Sequence, residues 1–177
     1  ADRRKRVWEN RMFNKKNTLR VLQLSLVAGV AMYFTFVVID NLTYYDCNFD
    51  AVQHVLSMDT VYRDNPLKWR AITNPFLQNL LYCVIIAWES ASAILCWIGC
   101  VALAKNMGKG DELFCEAKKW AILGVGTAMM LWLIVFVAVG GEWFQMWQSQ
   151  SYNGQEIGAF LFCIDALILS VLIQKED

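Results

Sequence analysis

Four long runs of hydrophobic residues divide the chain, and shorter polar stretches separate them. The runs cover about residues 21–39, 76–104, 120–139 and 157–173. Each is long enough for an α-helix to cross the hydrocarbon core of a bilayer, which takes roughly 20 mostly apolar residues, and the second is long enough to cross with a tilt. Buried helices of soluble proteins rarely continue so long without a polar face. The pattern therefore predicts an all-α protein built as a four-span transmembrane helix bundle.

Residues at the ends of the runs indicate where the helices begin and end. The Asn74-Pro75 pair is typical of an N-cap followed by a first helical residue, so the second crossing should begin there. Asn153, with Glu156 three residues later, predicts a capping box at the start of the fourth crossing. The glycine pair Gly140-Gly141 predicts the end of the third crossing.

The segment between the first and second crossings is too long for a tight turn, and its apolar residues recur at helical spacing. This spacing predicts a short amphipathic helix that lies on the membrane surface or on the outer face of the bundle. A second short helix is expected to begin at Pro66. The apolar positions of the first of these helices are Phe49, Val52, Val55 and Leu56.

The charges cancel over the 177 residues but are segregated along the chain. The formal net charge is +0, with 57% hydrophobic and 18% charged residues, which gives no reason to expect a nucleic-acid partner. With four crossings, all Lys and Arg residues except Arg63, Lys68 and Arg70 lie on the side of the two termini. The positive-inside rule then predicts that both termini face the cytoplasm or the mitochondrial matrix.

We divide the chain into a basic N-terminal arm, residues 1–18, and a four-helix membrane domain, residues 19–177. The arm is expected to contact anionic lipid headgroups or to dock onto a partner subunit.

Two carboxyl groups fall inside the hydrophobic runs, Glu89 in the second and Asp165 in the fourth. A carboxyl group in hydrocarbon costs at least about 2.5 kcal/mol unless it is protonated, paired or turned toward a polar cavity. The pair could relay protons or line a ligand pocket. The alternative is a hydrogen bond between helices, to a neighbour such as Ser25, Thr35 or Thr127.

The outer loops carry a further set of polar and aromatic residues. We expect Arg70 to lie between Asp59 and Glu142, with tryptophan rings shielding it. Such a polar cluster either closes the fold or receives a quinone or a lipid headgroup. The full set is His54, Ser57, Asp59, Trp69, Arg70, Glu142 and Trp143.

Metal and cofactor chemistry have little support in the sequence. His54 is the only histidine and the six cysteines are dispersed, so neither a zinc site nor a bis-histidine haem held by this chain alone is expected. The sequence indicates no catalytic triad around this single histidine. We therefore expect no metal site and no cofactor of the chain's own, and a bound phospholipid or quinone as the ligand, if there is one.

Two motifs in the predicted outer loops resemble those of a known protein family. Residues 53–60 (QHVLSMDT), followed by residues 69–72 (WRAI), resemble the first signature of the predicted small integral membrane proteins catalogued as domain of unknown function 2165. Residues 141–149 (GEWFQMWQS), followed by residues 153–155 (NGQ), resemble the second. The resemblance extends over about residues 19–174.

This resemblance implies a membrane architecture but assigns no activity. The family is mainly proteobacterial, so in a eukaryote it would imply a mitochondrial location. Two positions depart from the family pattern: Tyr152 stands where a tryptophan is expected, and Leu161 where an arginine is expected. An ion pair made by that arginine is therefore not expected in this chain.

The leading hypothesis is a non-catalytic accessory or scaffold subunit of an inner-membrane assembly, with a mitochondrial respiratory-chain complex favoured over a bacterial inner membrane. Its partners would be membrane lipids and other membrane subunits. The first alternative is a membrane anchor that contributes to a quinone or lipid headgroup site. The second is a small proton-linked transporter that uses Glu89 and Asp165.

Overall fold

The computed structural model describes residues 15–174, and every regular element within that range is helical. The five α-helices are α1 (Lys15–Thr43), α2 (Tyr45–Ser57), α3 (Pro75–Asn106), α4 (Asp111–Leu131) and α5 (Gln155–Leu172). The chain continues beyond α4 as a π-helical stretch, the π-segment, from Trp132 to Trp143. Single 3₁₀ turns occupy Lys68–Arg70 and Met146–Gln148. Most of the basic arm lies outside the described residues.

The prediction of an all-α protein with four helices able to span a membrane is confirmed. The four are Lys16–Thr43, Pro75–Asn106, Asp111–Trp143 and Gln155–Leu172, with lengths of 28, 32, 33 and 18 residues. The first three extend past their hydrophobic runs at both ends because polar residues continue the helical backbone, and the fourth extends past its run only at its start. No more than 39% of the most apolar stretch of any of them is buried within the chain, so most of each helix faces outward.

The helix ends follow the sequence signals only in part. Asn74 caps α3, since its Oδ1 accepts hydrogen bonds from the backbone N–H groups of Phe76 and Leu77 at 3.0 and 3.2 Å. The predicted capping box at the start of α5 is wrong. Gly154 occupies the N-cap position, and Asn153 Oδ1 instead accepts from the backbone N–H of Gln155 at 3.1 Å.

Two other predicted boundaries differ from the structure. The third crossing does not end at the glycine pair, because the π-segment continues through it to Trp143. Glycine serves close packing at this point, since a Cβ on Gly140 would lie 2.9 Å from the terminal methyl of Met146. The second short helix predicted from Pro66 is reduced to the 3₁₀ turn that begins at Lys68.

The centre of the bundle is the antiparallel pair α3 and α4, which approach closely at two glycines. A Cβ on Gly99 would lie 2.6 Å from the backbone nitrogen of Ala121, and one on Gly124 would lie 2.6 Å from that of Cys96. The lack of a side chain at these two positions allows the helices to approach this closely. Helix α1 packs against α3, and α5 packs against α4 and the π-segment.

Polar contacts close one end of the bundle, which we call the basic end; it comprises residues 15–23, 104–118 and 171–174. Arg20 is 2% exposed, and its guanidinium donates to the carbonyl oxygens of Met107 and Lys109 and to Asp111, each at 2.8 Å. Nearby, Gln23 Nε2 donates to the carbonyl oxygen of Val171 at 2.9 Å. Helices α1 and α5 and the α3–α4 connection are thereby joined at one end.

The opposite end, the loop end, comprises residues 40–78 and 140–156. Here α2 packs against α1 and α3, with Leu56 buried in a small apolar cluster that includes Met58, Val61 and Phe144. Phe49 of α2 also contacts Tyr82 of α3, with ring centroids 5.7 Å apart. The two outer loops are therefore packed on each other and on the bundle.

Candidate functional site

Glu89 is held by a short chain of hydrogen bonds at the loop end of α1 and α3. Its side chain is 3% exposed, and its Oε2 accepts a hydrogen bond of 2.7 Å from Asn41 Nδ2. Asn41 Oδ1 in turn accepts from the hydroxyl of Tyr82 at 3.0 Å. Because Asn41 belongs to α1 while Glu89 and Tyr82 belong to α3, this polar chain joins the two helices.

Asp165 is also buried, at 5% exposure, in the middle of α5. Its carboxyl lies beside the indole of Trp132. Its Oδ2 is inaccessible to solvent and has no hydrogen-bond partner within the described part of the chain. One oxygen of the Asp165 carboxyl group is thus buried without a hydrogen-bond partner among residues 15–174.

The neighbours suggested for these carboxyl groups from the sequence are wrong. Each of the three hydroxyl groups donates to a carbonyl oxygen one turn earlier in its own helix, which satisfies it locally. The bonds run from Ser25 to Val21, from Thr35 to Ala31 and from Thr127 to Leu123, at 2.7 to 2.8 Å. Sequence reasoning missed Asn41 because it stands at the boundary of the first hydrophobic run.

The predicted outer polar cluster divides into two groups. The first, the His54 group, consists of Asp50, His54, Asp59 and Tyr152. His54 Nδ1 lies 2.8 Å from Asp59 Oδ2, and its Nε2 lies 3.5 Å from Asp50 Oδ1. The imidazole stacks on the ring of Tyr152 with centroids 4.4 Å apart, and the Tyr152 hydroxyl donates to Asp50 Oδ2 at 3.1 Å.

The environment of Tyr152 also changes its acidity. Partial desolvation, and then the hydrogen bond and negative charge of Asp50, raise the pKa of the Tyr152 hydroxyl above its ordinary value. This hydroxyl is therefore a protonated donor throughout the physiological pH range. Asp50 was absent from the predicted cluster, although its position four residues before His54 places both on one face of a helix.

The second group, the Arg70 group, consists of Trp69, Arg70 and Trp143. The guanidinium carbon of Arg70 lies 4.4 Å from the ring centroid of Trp143 and 5.6 Å from that of Trp69. Arg70 Nη1 also donates to the carbonyl oxygen of Trp143 at 3.2 Å. Cation–π contacts and one backbone acceptor thus surround this charge.

The predicted position of Arg70 between two carboxylates is wrong. Asp59 pairs with His54, and Glu142 accepts a hydrogen bond of 3.2 Å from Gln155 Nε2. The Ser57 hydroxyl donates to the carbonyl oxygen of Gln53 within α2, at 2.8 Å. The two tryptophan rings take the place of the carboxylates around the arginine.

An apolar cleft of about 450 Å³ lies beneath α2 at the loop end. Its walls come from α2, the first half of α3, the π-segment and residues 144–154. Ligand pockets commonly measure 300–1,000 Å³, and carbon groups make up most of the surface of this one. Its wall residues include Val52, Val55, Trp88, Phe136, Phe144 and Tyr152.

Tyr152 connects this cleft with the His54 group, since its ring forms part of the wall while its hydroxyl bonds to Asp50. Ser151 and Asn153, on either side of Tyr152, line the cleft as well. The result is an apolar cavity with a polar rim at one edge. Sequence reasoning missed the cleft because its walls come from four segments that are distant in sequence and individually resemble ordinary packing faces.

Within residues 15–174, no three His, Cys, Asp or Glu side chains come close enough together to hold a metal ion. The six cysteines are free thiols, with Cys96 and Cys100 buried.

Comparison with protein-family models gives a match over most of the chain. The family model described as "Predicted small integral membrane protein (DUF2165)" covers residues 19–175. Searches of curated proteins and of solved structures return no match. The resemblance noted from the two loop motifs is thereby confirmed.

Proposed function

The chain belongs to this family of predicted small integral membrane proteins, and from that premise we propose that it is a non-catalytic accessory or scaffold subunit of an inner-membrane assembly. The favoured assembly is a mitochondrial respiratory-chain complex. The segregation of Lys and Arg to the side of the termini supports an inner-membrane orientation with both termini on the matrix or cytoplasmic side.

The observation that carries this proposal is an exposed small-residue face on α1. Ser25 and Gly29 are four residues apart, both are exposed, and a Cβ on Gly29 would meet no atom of the chain within 4 Å. Small residues at this spacing allow transmembrane helices to approach closely. Within the bundle, Gly99 and Gly124 do this between α3 and α4. The same device on α1 is directed away from the bundle, which suits a helix of another subunit.

Native electrophoresis of membranes solubilised in a mild detergent tests the proposal. The chain should migrate in a large complex, and mass spectrometry of that band should identify its co-subunits. Migration at about the mass of the single chain would contradict the proposal.

A pair of variants tests the α1 face itself. Gly29→Leu should release the chain from the complex, because the added side chain fills the space that a partner helix needs. Gly126→Leu is the matched control, since Gly126 on α4 also has nothing within 4 Å of a Cβ. Retention of Gly29→Leu in the complex would exclude this face as the contact.

The second candidate function is a membrane anchor that contributes to a quinone or lipid headgroup site. The apolar cleft with its polar rim supports it, because both ligands combine a hydrocarbon tail with a polar head. Organic extraction of the purified protein, followed by mass spectrometry, should recover a quinone or a phospholipid in proportion to protein. Recovery of neither would contradict this function.

Proton-linked transport, the third hypothesis, depends on ionisation of Glu89 and Asp165. Glu89→Gln keeps a hydrogen-bond acceptor for Asn41 and removes the ionisable proton. Proton uptake into vesicles that is unchanged by this substitution would exclude Glu89 as a carrier.

A further inference from the structure

We propose that the cleft beneath α2 binds the acyl chain of a phospholipid with a primary ammonium headgroup, and that the carboxylates of the His54 group hold that headgroup. The lipid class is therefore that of phosphatidylethanolamine. This inference deepens the second candidate function, the lipid or quinone site, and is independent of the accessory-subunit proposal.

The walls of the cleft suit a hydrocarbon tail. Val52 and Val55 line it from α2, Trp88 from α3 and Phe136 from the π-segment. Its volume of about 450 Å³ is within the range of small-molecule pockets, and very little of its wall is polar. A tail can enter from the bilayer, because Val84 forms part of the wall and is 51% exposed on the outer surface of α3.

The rim of the cleft selects the headgroup by charge. Asp50 and Asp59 bring two carboxylates to the His54 group, and their side chains are 54% and 49% exposed. Two carboxylates attract an ammonium group and repel a headgroup with net negative charge. Tyr152 joins this rim to the cleft, since its hydroxyl bonds to Asp50 while its ring forms the wall.

A primary ammonium fits this rim better than a quaternary one. It has three N–H donors, and a carboxylate accepts several hydrogen bonds, whereas a trimethylammonium group has no donor. One face of the Tyr152 ring is already covered by His54 at 4.4 Å, so the rim lacks the open aromatic cage that binds choline. Ser151 and Asn153 supply hydroxyl and amide donors for the phosphate oxygens.

The headgroup, and not the tail, must decide which lipid is bound. A tail that moves from the bilayer into the cleft leaves one hydrocarbon environment for another, so it gains little free energy. A charge-assisted hydrogen bond to the headgroup changes affinity by about tenfold. Substitutions at the rim should therefore change lipid preference, and substitutions that fill the cleft should abolish retention.

The test uses the full chain, purified in a mild detergent and exposed to equal concentrations of phosphatidylethanolamine, phosphatidylcholine, phosphatidylglycerol and a ubiquinone. Native mass spectrometry then measures the adducts that survive. The proposal expects phosphatidylethanolamine to be retained about tenfold over phosphatidylcholine, which is the effect of one charge-assisted hydrogen bond.

Three variants locate the site. Asp50→Asn should remove the preference for phosphatidylethanolamine, whereas Asp46→Asn should not, because it removes the same charge one turn earlier on α2, away from the cleft wall. Val84→Trp should abolish retention of phosphatidylethanolamine, because the indole fills the cleft from a half-exposed position. Circular dichroism of each variant checks that the helices are intact.

Each remaining outcome overturns the inference. Equal retention of phosphatidylethanolamine and phosphatidylcholine, or a preference that survives Asp50→Asn, excludes headgroup selection by the rim. Preferred retention of phosphatidylglycerol assigns the lipid to the cationic Arg70 group. Retention of ubiquinone alone leaves the second candidate function standing with a different ligand, and retention of nothing removes both.

Discussion

Gly124, at one of the two close contacts between α3 and α4, is an informative position for a stability measurement because Gly126 on the same helix provides a matched control. A Cβ at this residue would lie 2.6 Å from both the backbone nitrogen and the Sγ of Cys96. Ordinary contacts of a Cβ begin at 3.4 Å, so Gly124→Ala requires the two helices to separate by about 0.8 Å. The obstacle includes backbone, which cannot rotate away as a flexible side chain can.

The expected cost follows from this separation. Overpacking of a well-packed interior by one methyl group costs about 1–3 kcal/mol. A gap of this size also forfeits a quarter to a half of the dispersion energy of the atoms that line it. Against this, alanine is favoured over glycine in a helix by about 0.5–1 kcal/mol.

Gly126→Ala is the matched control because it makes the same change on the same helix, where a Cβ would meet nothing within 4 Å. The helix-propensity gain is common to both variants, so the difference between them isolates the steric cost. We therefore expect Gly124→Ala to be less stable than Gly126→Ala by about 1–3 kcal/mol. For a chain of this length each kcal/mol corresponds to about 2–4 °C in Tm.

Thermal unfolding in a mild detergent, followed by circular dichroism at 222 nm, measures this difference. Alkylation of Cys96 provides a second reading, since its side chain is fully buried in the native protein and should react faster once the helices part. A Gly124→Ala variant as stable as Gly126→Ala, with Cys96 equally protected, would refute the close α3–α4 contact.

Three further substitutions test other contacts by the same unfolding measurement. Asn41→Leu should lower stability by about 1–3 kcal/mol because it leaves the buried Glu89 carboxyl without its 2.7 Å donor; no change would mean that Glu89 has another partner. Arg20→Lys should cost about 1.5–3 kcal/mol, because an ammonium keeps the charge facing Asp111 but lacks the planar fork that reaches two carbonyl oxygens as well. A variant of wild-type stability would show that the charge alone suffices. Asn74→Ala should cost about 1 kcal/mol through loss of the cap on α3, and an unchanged Tm would contradict that role.

The sequence predicted the parts of this fold that depend on composition within one segment. Four long apolar runs indicated four spanning helices, and Asn74 before a proline indicated the start of α3. The continuation of the third crossing beyond Gly140 could not be predicted from the composition of that segment. In the structure, the missing side chain at Gly140 leaves room for Met146, which comes from another segment. In the sequence alone, a glycine pair after a hydrophobic run instead indicates the end of a helix.

The candidate site was predicted less well because its residues act in pairs from distant segments. His54 and Asp59 were identified within one loop, yet the ring that stacks on His54 is Tyr152, 98 positions later. Arg70 was expected to lie between the carboxylates of Asp59 and Glu142 because opposite charges attract. In the structure it lies against Trp69 and Trp143, the kind of ring expected to shield it, whereas Asp59 and Glu142 bind His54 and Gln155 instead.

The arginine at the base of α1 has a consequence for how the protein is made. Arg20 lies 87 to 91 positions before the groups that receive its hydrogen bonds. At a synthesis rate of 5–20 residues per second, about 5–20 s pass between the appearance of the two on the ribosome. During that interval the Arg20 guanidinium of the newly synthesised α1 does not yet have its final acceptors. Its charge costs little free energy at the level of the lipid headgroups but is costly in hydrocarbon. The polar contacts that fix the base of α1 can therefore form only after α3 and the α3–α4 connection have been synthesised.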